Sequence, residues 1–76
     1  MYKETLKKLR EVSGKSCAEV AEALNVRKQM MYRYEQGKSW ISIEQVLVLA
    51  KLYDVSAEDV INAQLNSYHL YLLNGL

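Results

Sequence analysis

Seventy-six residues, half of them apolar, make one small domain near the size at which a single core is only just sufficient. A lone cysteine excludes an internal disulfide, no Cys/His set has metal-ligand spacing, and no apolar run is long enough to span a bilayer. The expectation is a cytoplasmic protein without signal peptide, cofactor or metal.

The first helix is expected from about Tyr2 to Val12, with Leu6 and Leu9 inward and Lys3, Lys7 and Lys8 outward. Ser13, Gly14 and Lys15 make the turn that follows. Ser16 and Glu19 then form a capping box that opens a second helix from Cys17 to Leu24. Val20, Ala21 and Leu24 share one face of it. Asn25 is the stop, because Asn tolerates the left-handed backbone a helix end often needs. Val26 tucks beneath both neighbouring helices.

A third helix is expected over about Arg27–Gln36, with Met31 and Tyr34 inward and Gly37 as its stop. Its outward side offers Arg27, Lys28, Gln29, Tyr32 and Arg33, and no carboxylate occurs from Asn25 through Tyr34. Long donor side chains on one exposed helix face are what reading base edges in a major groove requires. In the loop that follows, Lys38 and Ser39 can grip phosphate, while Trp40 covers the core or lies against the backbone. Ser42 and Gln45 form a second capping box, opening a helix to about Tyr53. Here the pattern places Ile43, Leu47 and Ala50 inward and Val46 or Leu49 partly outward. Asp54 and Val55 turn the chain, and Ser56 begins a fifth helix through Val60 and Ile61.

The segment 63–76 reads two ways. Ile61, Leu65, Tyr68 and Leu72 lie at helical spacing with Asn74-Gly75 as a C-cap, whereas Tyr68, Leu70 and Leu72 also alternate as in a short strand. Its plain role is to enlarge the core. Its functional role is a dimer contact through Leu65, Tyr68, Leu70, Leu72 and Leu73.

Charge supports a division of the chain into two faces. Residues 1–38 carry nine Lys and Arg against five Glu, and residues 39–76 carry Lys51 against four acidic residues. A basic face for phosphates and an acidic far side would give this pattern, as would a mixed, soluble surface.

Ser16, Val20, Ala21, Leu24, Val26, Met31, Tyr34, Glu35 and Gly37 together resemble the helix-turn-helix domain of the lambdoid-phage repressor and Cro type (XRE type). Residues 6–10 and 41–61 resemble the family's flanking helices, so the likeness covers about 2–62. The resemblance implies an all-α, compact five-helix repressor-like domain, with 63–76 as a C-terminal apolar extension. It also implies that Arg10 pairs with Glu35 as a structural salt bridge, and that Lys28 and Gln29, in the first turn of the third helix, read bases. Tyr32 and Arg33, one turn further along, are the other candidates for base reading: Arg33 reads guanine or holds phosphate, and Tyr32 packs on a thymine methyl or reaches phosphate. Lys15, Cys17, Arg27, Met30, Lys38 and Ser39 are the candidates for phosphate contact. Three positions depart from the family: Cys17 replaces its usual Gln, Arg27 its capping Ser or Thr, and Ile41 its frequent Pro.

No catalytic set is visible, and His69 has no placed carboxylate or serine partner. The expected function is sequence-specific binding of double-stranded DNA as a homodimer on a palindromic operator, with repression by occlusion. The alternatives are an antitoxin-type protein whose apolar tail seats a toxin, and a protein-interaction module that no longer binds DNA.

Overall fold

The computed structural model describes residues 4–74. Within them the helices are α1 (Leu6–Val12), α2 (Cys17–Ala23), α3 (Lys28–Gln36), α4 (Ile43–Tyr53) and α5 (Ala57–Asn74), with no strand. The fold is the expected all-α arrangement.

Side chains set most of the helix starts. Both expected capping boxes are present, Ser16 with Glu19 and Ser42 with Gln45, each satisfying two backbone N–H groups. Two further sets of cap bonds escaped the sequence reading, although Ser56 is the expected start of α5. The Thr5 hydroxyl accepts from the Lys8 N–H at 3.2 Å, so α1 begins at Leu6; the expected start at Tyr2, like Lys3, lies outside the described residues. Ser56 and Asp59 exchange the same pair of bonds at the start of α5, with Asp in place of the usual Glu or Gln. Arg27 caps α3 without any side-chain bond. Asn25 and Asp54 take the left-handed backbone, as expected of a stop at Asn25.

Leu6, Val20, Met31, Leu49 and Val60 are the largest fully sealed side chains, one from each helix. Each contributes about 1.5–3 kcal/mol by leaving water. The expected inward residues of α1, α2 and α3 are all buried, and Val26 packs half-buried against them.

For α4 the expected face is right at Ala50 and wrong at Ile43 and Leu47. Val46, Leu49, Ala50 and Tyr53 are buried, whereas Ile43 and Leu47 are exposed. This helix holds more apolar residues than one face needs, and its packing on α5 selects the phase. In α5, likewise, Val60, Ala63, Gln64 and Ser67 face the core, and Ile61, Leu65 and Leu72 do not. The segment after Asn62 is therefore helix and not strand, and its first half enlarges the core. Gly75 of the expected C-cap lies outside the described residues.

Two buried polar residues of α5 lock it to distant backbone. The Gln64 Oε1 accepts from the Ile41 N–H at 2.6 Å, and the Ser67 hydroxyl accepts from the Leu6 N–H at 3.2 Å while donating to the Ala63 carbonyl. Each thereby meets a backbone donor that would otherwise be buried unpaired. Beside Ser67 sits Gly37, the left-handed C-cap of α3. A Cβ there would come within 2.5 Å of the Ser67 carbonyl oxygen, so only glycine lets α3 end against the backbone of α5. No helix among the described residues is long and apolar enough to cross a membrane.

Candidate nucleic-acid interface

The turn between α2 and α3 is held by its own backbone. The Asn25 N–H donates to Glu22 and the Val26 N–H to Ala21, both at 3.0 Å, with Asn25 at φ 57°. This closes α2 tightly and starts α3 across it. Met31 and Tyr34 then anchor the inner side of α3, and the Tyr34 hydroxyl accepts from Gln45 Nε2 of α4 at 3.2 Å.

An ion pair fixes the C-terminal half of α3 to α1. Arg10 Nε donates to Glu35 Oε2 at 2.6 Å and Arg10 Nη2 to Oε1 at 3.2 Å, with the Glu35 side chain only 5% exposed. The remaining guanidinium arm donates to the Lys15 carbonyl, so one side chain joins α1, α3 and the turn before α2. The bond to Glu35 raises the Arg10 pKa further. A bidentate pair with this little exposure resists rotation, and it keeps α3 at one angle. The implied structural pair is thus present.

With its inner side occupied, α3 turns Lys28, Gln29, Tyr32 and Arg33 to solvent, together with Arg27 at its cap. The phosphate candidates fare unequally. Lys38 is exposed and Lys15 half-buried. Met30 packs half-buried against the core. Cys17 is half-buried too, and its thiol donates to Glu35 Oε1 at 3.8 Å. Burial, followed by the nearby Glu35 carboxylate, pushes the Cys17 pKa up, so the group stays a neutral thiol. Cys17 therefore belongs to the Arg10–Glu35 cluster and offers an anion little.

Arg33 and Ser39, which the sequence suggested for separate roles, are joined: Arg33 Nε donates to the Ser39 hydroxyl at 3.0 Å. The contact ties the last turn of α3 to the loop that follows it. Trp40, 52% exposed, lies with its ring centroid 4.9 Å from that of Tyr68 on α5. The dimer candidates divide between two sides of α5, with Leu65, Tyr68 and Leu72 on one and Leu70 and Leu73 on the other. Sequence reading missed Gln45 as a brace for Tyr34, since its capping role already accounted for it. It also missed Ser67, whose partner Leu6 is 61 positions away.

The family described as "Helix-turn-helix domain" matches residues 4–62. Among curated proteins the chain is 38% identical over 68 residues to a Pyrococcus horikoshii protein, a match covering 86% of this chain and 22% of the relative. It is 34% identical over 70 residues to a Pyrococcus furiosus protein (88% and 22%) and 36% identical over 63 residues to one from Sulfurisphaera tokodaii (83% and 20%). All three carry the name "Putative HTH-type transcriptional regulatory protein". The chain thus spans at most 22% of the length of these relatives. No solved structure matches the chain.

Proposed function

Because the chain belongs to the helix-turn-helix domain family, we propose that it binds double-stranded DNA with α3 as the reading element and regulates transcription. The observation that carries this is the division of α3 into two sides. Its inner side is fixed by Met31, Tyr34 and the Arg10–Glu35 pair, and its outer side is a row of long donors without a carboxylate.

Lys28 and Gln29 sit in the first turn, which enters the groove first. Lys donates to guanine O6 and N7, and Gln bridges adenine N6 and N7. Arg33, steadied by Ser39, and Lys38 hold phosphates beside the groove, and Tyr32 packs on a thymine methyl or reaches a phosphate. The excess of positive charge before residue 39 supports this orientation. One domain of this size makes few contacts, so the reading continues to a homodimer on a two-fold related operator, acting by occluding a promoter.

The test is a titration of the purified protein against DNA from upstream of its own gene at two salt concentrations, with Lys28→Ala and Gln29→Ala alongside. Each variant is expected to lose about 1–3 kcal/mol of discrimination at one base position. Sequence-blind binding by the unaltered protein would refute the reading.

A further inference from the structure

A groove of about 370 Å³ opens where α1, α3 and α5 meet, with Lys7, Gln36, Lys38, Leu70 and Tyr71 in its walls. Those walls are tied to one another. The Leu6 N–H bond to the Ser67 hydroxyl joins α1 to α5, and the close approach of Gly37 to the Ser67 backbone joins the end of α3 to α5. The Arg10–Glu35 pair joins α1 to α3. The groove is therefore preformed, which spares a ligand the cost of ordering it. The family match ends at residue 62, so the wall made by Leu70 and Tyr71 belongs to the part of α5 that runs on beyond it.

The lining combines charge with apolar surface. Lys7 and Lys38 make no ion pair among the described residues. The one carboxylate in the walls, Glu35, already accepts two bonds from Arg10 and one from the Cys17 thiol, so it does not offset the two lysines. Leu70 and Tyr71 are 49% and 40% exposed and lie outside the core cluster. The volume falls within the roughly 300–1,000 Å³ of small-molecule sites, which pair apolar walls with a few placed polar groups. Two unpaired cations select an anion, and a tyrosine ring with a leucine beside it in sequence selects an apolar body.

We propose that this groove binds a small organic anion, a carboxylate or phosphate carried on an apolar body, and that its occupancy weakens DNA binding. The site stands on the groove itself, and the coupling rests on the proposed reading of Lys38 as a phosphate holder. Lys38 is exposed in the loop directly after α3, and its ammonium serves either the bound anion or a DNA phosphate. Withdrawing one cation from the duplex lowers the slope of log affinity against log salt by about 0.9. Linkage makes the effect reciprocal: DNA weakens the anion by the same factor by which the anion weakens DNA.

Amide NMR spectra of the full chain, titrated with phenyl phosphate and with phenylacetate, test the site. Inorganic phosphate and phenol are the arms that carry the charge alone and the ring alone. Expected is a saturable shift of the Lys7, Lys38 and Tyr71 amides, about tenfold tighter for an organic anion than for either partial probe. The tighter of the two organic anions identifies the head group. Lys7→Gln and Tyr71→Ser alter exposed side chains, and each should weaken binding clearly, whereas Lys51→Gln, on α4 and outside the groove, should not. A thermal melt checks that each variant is folded. At saturating organic anion, DNA affinity and its salt slope should both fall for the unaltered chain. Lys7→Gln should bind DNA normally and lose that response.

No saturable shift with either organic anion overturns the proposal. So does inorganic phosphate binding as tightly as phenyl phosphate, or Lys51→Gln weakening binding as much as Lys7→Gln. An anion that fills the groove and leaves specific DNA affinity unchanged overturns the coupling. If the anion binds as expected while the chain shows no specific DNA binding at all, the site stands and the operator reading falls.

Discussion

Gly37 and Gly14 both have positive φ, yet their surroundings differ, so substitution should separate backbone preference from close approach. At Gly14 an added Cβ meets nothing within 4 Å, and Gly14→Ala should cost only the ~1–2 kcal/mol of a left-handed backbone. At Gly37 the same atom meets the Ser67 carbonyl. Gly37→Ala should therefore cost clearly more, as the difference between the two unfolding free energies in urea. Tyr53 offers the reverse case. Its hydroxyl is buried without a hydrogen-bond partner among the described residues, and its pKa is pushed up, first by burial and then by the Glu35 carboxylate. Removing an unsatisfied hydroxyl relieves its desolvation cost, so Tyr53→Phe should be neutral or stabilise by about 1 kcal/mol. A fall in melting temperature would mean that the hydroxyl has a role in the cluster around Arg10.

At the level of the helix, caps separate what local sequence can specify from what it cannot. Ser16 and Glu19 act within one turn, so their bonds are legible before any fold is known. The Ser16 N–H and hydroxyl lower the Glu19 pKa below its ordinary 4.5. A lowered carboxylate stabilises the folded state above its unfolded pKa, and that contribution disappears as pH falls through the lowered value. Melting temperature should thus fall as pH drops below 4.5, and less so in Glu19→Gln. The inward face of α4 was not legible in the same way. Residues 46–50 are all apolar, and only packing against α5 decides that Val46 and Leu49 go inside while Leu47 stays out. The same holds for Gln64 and Ser67, polar residues whose place in the core is justified by donors on Ile41 and Leu6. Periodicity carries no information about such partners. The exposure of Lys28, Gln29 and Tyr32 on α3 was legible from the pattern alone, whereas the bond between Arg33 and Ser39 was not.

Across the whole molecule, charge and shape bear on how binding should respond to salt. Each phosphate neutralised by a cation contributes about 0.9 to the slope of log affinity against log salt. If Arg33 holds a phosphate, Arg33→Ala should lower that slope by about one and weaken all sequences alike. Lys28→Ala should instead alter which sequences are preferred. Measured slopes for the two variants would assign each residue to backbone holding or to base reading, whichever pattern emerges. The ion pair at the centre has a different signature. Arg10→Ala would leave Glu35 buried and unpaired, at a cost of about 3–5 kcal/mol, and should lower stability before it touches affinity.

The side chains that hold α3 in place and those it turns outward are separate sets. Met31, Tyr34 and Glu35 have their partners inside the molecule, whereas Lys28, Gln29 and Tyr32 make no contribution to the sealed core. Natural drift or a randomised library can therefore change the outward letters one at a time with little penalty in folding. On the proposed reading, the domain is a chassis whose target sequence can be reprogrammed while its sealed core stays as it is.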